Sequence, residues 1–171
     1  MSAAAAISLL ALTAVLLMMA GEHALSRHNE RILRERGAIE PADDVIGTMR
    51  WAYPGCFVAM ALEGAWFGPA TPEALSIGLA IFGFAKALKI WAISTLGIRW
   101  TFRVLVLPGA SLVSRGPYAV LRHPNYVAVI GELVGIALLV WAPFTGALSV
   151  GGFGALLSRR IRVENRALGR G

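Results

Sequence analysis

Charge is scarce in this sequence. Only 15% of its 171 residues are Asp, Glu, Lys or Arg, and 57% come from the apolar set AVILMFWYC. An ordinary soluble domain carries about 25% charged residues, so a soluble globular fold is excluded. Cysteine is nearly absent. Cys56 stands alone, which rules out an intramolecular disulfide, so stability has to come from helix packing. No His, Cys, Asp and Glu spacing suggests a metal site, and His23 and His28 are isolated. Acidic residues are missing altogether from Gly97 to Tyr126. The net charge of +6 resembles a nucleic-acid signal until its residues are located. They flank apolar runs, which is a membrane signal and leaves no case for a nucleic-acid partner.

What is present is a series of apolar segments with a mean hydropathy of +0.65. The uncharged run Ala3 to Ala20 predicts a membrane helix rather than a cleaved leader, since no basic residue precedes it. Trp51 to Phe67 has Trp51 and Tyr53 at one end and Trp66 at the other, the aromatic placement of two interfaces. A third run opens at Pro72 and Glu73, is uncharged from Ala74 to Ala85, and carries Lys86 and Lys89 before Gly97. Tyr126 to Ala142 and Phe144 to Leu157 are shorter and predict a helical hairpin, with a turn at Pro143, Thr145 and Gly146. The mixed segment Ala24 to Arg36 predicts a separate short helix near the interface, suited to lipid headgroups.

The 16 Lys and Arg fall into four clusters. Five lie between the first two spans and two close the third. Four follow in the next loop and five form the tail. None lies before the first span or from Gly68 to Thr71, an alternation that puts the N-terminus outside and the C-terminus in the cytoplasm. The expected fold class is therefore all-α: a polytopic integral membrane protein of five hydrophobic helices in one domain, residues 1–171, in a cell inner membrane.

Candidate chemistry concentrates after Gly97. In SRGPYAVLRHPNY, Gly116-Pro117 makes a turn, and Pro124 starts a helix whose free N–H groups lie beside Arg122 and His123, an anion-binding arrangement. The hairpin returns SRRIRVENRAL to the same side, where Arg160 and Glu164 share a helix face. An Arg, a Glu, a His and two Tyr thus converge from separate segments. Glu132 is a carboxyl group in mid-span and a functional candidate, whereas Glu63 is expected at the outer interface.

In the stretches LKIWAISTLG, LVSRGPYAVLRHPNY and RRIRVENRAL the chain resembles the isoprenylcysteine carboxyl methyltransferases and their prokaryotic relatives, and the upstream SRHNERILRERGA resembles bacterial members. RHPNY also resembles a segment of membrane sterol reductases, which keeps an NADPH-dependent reductase open. A non-catalytic protein binding lipids or a partner is the other alternative. The methyltransferase resemblance implies S-adenosylmethionine as cofactor, in a cytoplasm-facing pocket of the C-terminal half, about residues 86–171. Leu112, Val113, Tyr118, His123, Pro124, Asn125, Tyr126 and Glu164 would bind it. Arg160 would face the acceptor group, with Arg160 and Glu164 at the catalytic centre; Glu132, singled out by its mid-span position and not by the resemblance, is expected as a further substrate contact. The acceptor would be a lipophilic small molecule or prenylated substrate entering from the membrane lipids. The tail departs from the family where Glu164 is followed by Asn165 rather than a second acid, which bears on the substrate more than on the cofactor.

Overall fold

The computed structural model describes residues 2–42 and 44–169. It is all-helical, with five α-helices and no strand among the described residues. These are α1 (Ala3–Glu35), α2 (Ile46–Phe67), α3 (Pro72–Leu96), α4 (Pro124–Leu139) and α5 (Pro143–Ala167), with single 3-10 turns at Gly97–Arg99 and Gly116–Ala119. The only pairing of strand type among the described residues is an isolated bridge between Ile39 and Val106. Two helices, Ala3–Glu35 and the one opening at Pro72, are long and apolar enough to cross a membrane.

The helix starts follow their capping chemistry. Ser2 and Thr71 accept from the backbone N–H groups of Ala5 and Ala74, which answers the orphan donors of a first turn. Proline occupies the first turn of α3, α4 and α5, where its missing N–H costs nothing. Two expected boundaries are corrected. The segment Ala24 to Arg36 is no separate interfacial helix: it continues α1, because Ser26 and Asn29 bury themselves against the 97–102 segment. Asn29 donates to the Trp100 carbonyl at 2.8 Å, and Ser26 accepts from Phe102 N–H at 2.8 Å. The hairpin turn lies at Val140–Ala142, with Trp141 at φ +57°, and Pro143 belongs to α5. Glu63, near the end of α2, is buried against the start of α5, accepting from Phe144 N–H at 3.0 Å and Thr145 N–H at 2.6 Å. A carboxylate at a helix N-terminus satisfies its free donors and opposes its dipole, and this one fastens α2 to α5.

The core is continuous through the bundle, with Phe57, Met60, Phe82, Leu133, Ile136 and Phe153 at its centre. Helices α3 and α4 approach at backbone distance. A Cβ on Gly78 would lie 2.6 Å from Leu139 N, and one on Gly135 would lie 2.7 Å from Phe82 N. Small residues permit such approach, the usual basis of helix association where lipid removes the hydrophobic drive. At one end of the bundle the connections Gly68–Thr71 and Val140–Ala142 contain no Lys or Arg. The opposite end gathers the loop after α1, the 97–123 segment and the end of α5, and there a large cavity opens.

Candidate functional site: a two-ended cavity

The cavity has a volume of about 1050 Å³ and is walled by residues of all five helices and of the 97–113 segment. Helix α4 supplies its polar edge. Pro124 sets the helix start, and His123 stands at the N-cap with its ring stacked on Tyr126, the centroids 5.4 Å apart and the planes 18° from parallel. The Tyr126 hydroxyl donates to Glu164 Oε2 at 2.7 Å, and His123 Nδ1 lies 3.6 Å from the same oxygen. Glu164 comes from the extension of α5 beyond its apolar part. Burial would raise its pKa, but His123, Tyr126 and the positive charge of Arg160 together hold it below the ordinary carboxylate value. It is therefore a carboxylate at neutral pH. His123 Nε2 is buried without a hydrogen-bond partner among the described residues.

Tyr118 reaches the cavity from the 3-10 turn Gly116–Ala119. That turn presses on α3: Gly116 has φ +58°, and a Cβ there would lie 2.6 Å from Thr95 Oγ1. Only glycine accommodates both demands. Burial, and then the charge of Glu164, push the Tyr118 phenol well above its usual pKa, so it stays protonated. Asn125 accepts from Trp100 Nε1 at 3.3 Å, and Leu112 and Val113 form the rim.

Arg160 is buried at 4% exposure. Its Nη1 donates to Asp44 at 2.6 Å, Nη2 to the Phe102 carbonyl, and Nε to the Tyr126 hydroxyl at 3.1 Å. Three of the five guanidinium donors are thereby engaged. Asp44 also accepts from Ile46 N–H at 3.2 Å and Val104 N–H at 3.0 Å, so one carboxylate ties the α1–α2 loop, the 100–106 segment and α5 together. Nearby, Arg103 binds Glu40 at 2.6 Å and approaches Glu30 at 3.4 Å, while Arg34 also bonds Glu40. Despite the cost of burial, these two arginines hold the Glu40 carboxyl below its usual range. The acid-free 97–113 segment is thus strapped across the cavity by acids from α1 and the loop after it.

Most of the residues singled out in the sequence meet here. Leu112, Val113, Tyr118, His123, Asn125, Tyr126, Arg160 and Glu164 all line the cavity. Pro124 is buried behind it, shaping the helix start. Glu132 is also behind the wall, at 0% exposure, held by Lys89 at 2.9 Å and by the Tyr53 hydroxyl. It therefore reaches the cavity only through residues that line it. Sequence reasoning missed Asp44, Lys89 and the Trp100–Phe102 carbonyls. Asp44 sits in an unremarkable PADDV loop, and only its position beside a buried arginine marks it. Lys89 had a signal, a lysine three residues after another on an apolar helix, a spacing that puts both on one face.

The middle of the cavity is apolar, walled by Leu16 and Met19 of α1, Met49 of α2, Val129 of α4, and Phe153 and Leu157 of α5. One cavity therefore joins a polar edge to an apolar interior between helices. Residues 77–170 match the model of the isoprenylcysteine carboxyl methyltransferase (ICMT) family, a span that contains every residue of the polar edge except Asp44. The chain is 35% identical over 162 residues to the uncharacterized protein YpbQ of Bacillus subtilis (strain 168), covering 92% of this chain and 94% of that one. It is 28% identical over 145 residues to an uncharacterized protein of Haemophilus influenzae, covering 84% of each. No solved structure matches the chain. By its sequence and by the residues gathered around this cavity, the chain belongs to the isoprenylcysteine carboxyl methyltransferase family, a family of membrane methyltransferases.

Proposed function

We propose that this protein transfers a methyl group from S-adenosylmethionine to a lipophilic acceptor at the cytoplasmic face of the membrane. The acceptor is an isoprenylcysteine-type carboxylate or a related acid or phenol. The observation that carries this reading is the joining of the Tyr118, His123, Tyr126 and Glu164 edge to an apolar interior within one cavity. The polar edge suits the cofactor. An ionised Glu164 and the faces of stacked aromatic rings favour a cation, and His123 Nε2 and Asn125 offer hydrogen bonds to a polar ligand. S-adenosylmethionine supplies an activated methyl group on a sulfonium centre, so the protein's task is alignment and exclusion of water.

Arg160 is the orienting group. Asp44 and Glu164 neutralise it toward a cationic donor, and its remaining donors can hold an acceptor oxygen. A carboxylate acceptor needs no base. A phenol has to lose a proton, and His123 or Glu164 lies in place to receive it. In the membrane we place all five helices as spans of an inner-membrane protein, with the N-terminus outside and residues 1–171 acting as one unit that takes its substrate from the lipid.

Titration of the purified protein with S-adenosylhomocysteine and with NADPH tests the reading, because a ligand of the native state raises stability according to its affinity. We expect a shift with the first alone. A shift with NADPH alone would instead place the chain with the reductases. With labelled methyl donor and a lipophilic acid or phenol, Arg160→Ala should lower turnover far more than cofactor affinity. Arg160→Lys should not restore turnover fully, since lysine lacks the planar fork.

A further inference from the structure

The deep end of the cavity is not apolar. Glu22 of α1, Tyr53 of α2 and Lys89 of α3 line it, with Glu132 of α4 directly behind. Lys89 Nζ lies 3.2 Å from Glu22 and 2.9 Å from Glu132. Lys86 Nζ lies 2.8 Å from Glu22 and 3.2 Å from Glu132, so two ammonium groups and two carboxylates alternate in a neutral square. The Tyr53 hydroxyl donates to Glu132, and its ring centroid is 5.5 Å from Lys89 Nζ. Helix packing alone does not call for this arrangement, because well-packed apolar residues generally replace a buried ion network without loss of stability. Ionisable side chains at membrane depth are functional candidates for the same reason.

Hydrogen-bond capacity identifies the group facing the ligand. An ammonium has three donors; the two carboxylates take two from Lys89, and the third has no hydrogen-bond acceptor among the described residues, on a side chain that lines the cavity with the Tyr53 ring beside its Nζ. Glu132 lies six residues beyond Tyr126 on α4, about 9 Å along a helix axis at 1.5 Å per residue. Val129, Phe153 and Leu157 fill the interval. A ligand spanning the cavity thus meets a polar edge, an apolar middle and a second polar point.

We propose that Lys89, backed by Glu22, Glu132 and Tyr53, is a second recognition point of this cavity. It takes an oxygen-bearing group, hydroxyl, carbonyl or carboxylate, carried by the lipophilic acceptor about 9 Å deeper than the transfer site. The acceptor's identity as a methyl acceptor rests on the function proposed above; the binding preference does not. A plain hydrocarbon chain at this depth would desolvate the Lys89 donor without replacing its partner, and sites built to hydrogen-bond a ligand oxygen discriminate strongly against analogues that lack it.

The test uses a straight-chain fatty acid and its monohydroxylated positional isomers, added in detergent to the full-length protein and followed by calorimetry. One positional isomer should bind at least about tenfold more tightly than the parent acid, a modest part of what such sites achieve. In the charge-balanced variant Lys89→Met with Glu132→Gln, that preference should vanish while the parent acid binds at least as tightly as to the wild type, because the donor it desolvates is gone. A flat positional series in the wild type overturns the proposal, and so does a preference that survives in the variant. If the variant does not fold, the wild-type series still decides, together with Tyr53→Phe, which should weaken the preferred isomer alone. Absence of methyl transfer to any acceptor would count against the proposed function and leave this binding comparison readable.

Discussion

Removing the charge of Asp44 should destabilise this protein more than any other single change in its loops. The Asp44 and Arg160 side chains are 3% and 5% exposed, so solvent screens neither. Asp44→Asn preserves size but turns an acceptor into an amide, which presents N–H groups either to Val104 N–H or to the guanidinium. Breaking a buried pair by removing one partner costs about 3–5 kcal/mol, because the survivor is left charged and desolvated. At about 2–4 °C per kcal/mol for a chain of this size, the melting temperature should fall by roughly 6–20 °C. Arg160→Met in the Asp44→Asn background should then cost much less than in the wild type, since the uncompensated cation is gone. Thermal unfolding of the four proteins in one detergent closes the cycle. Additivity of the two single changes within about 0.5 kcal/mol, the behaviour of independent sites, would refute the coupling and with it the strap across the cavity.

The other outcomes follow from the same geometry. His123→Ala and Glu164→Ala should each weaken S-adenosylhomocysteine binding by about 1–3 kcal/mol, the cost of losing a buried polar partner, whereas Arg162→Ala, exposed on the far side of α5, should leave calorimetric affinity unchanged. Glu164 has a depressed folded pKa, so its contribution is present above the unfolded value near 4.5 and is lost only as pH falls through the lower folded value. Ligand affinity should accordingly stay level from pH 8 to 5 and decline below, and a midpoint above 5 in wild type that disappears in Glu164→Gln would contradict this. Gly78→Ala forces a Cβ against Leu139 N and Gly135 O at 2.6 and 2.7 Å, and overpacking of this kind should cost about 1–3 kcal/mol in thermal unfolding. In a Cys56→Ala background, cysteines placed singly at Gly68 and Arg115 should react with an impermeant thiol reagent from opposite sides of sealed vesicles. Reaction from one side would dismiss the five-span arrangement.

The helical class, the starts of α1, α3 and α4 and the gathering of one set of residues were legible in the sequence alone. Apolar run length, proline at first turns and the absence of basic residues at one set of connections act locally, so they are readable without a fold. The Arg160 and Glu164 spacing was likewise legible, because helical periodicity alone puts them on one face. The features that sequence did not disclose involve partners distant in the chain. Asp44 meets Arg160 across 116 positions and Glu63 meets Thr145 across 82. Lys89 is buried because Glu22 and Glu132 from two other helices compensate its charge. The continuation of α1 through Glu35 was hidden for a related reason. Its charged half looks suited to a lipid surface until Ser26 and Asn29 find the carbonyl and N–H groups of the 97–102 segment. Charge in a low-dielectric interior is tolerated only beside its complement, and the complement's place is set by packing rather than by neighbouring sequence.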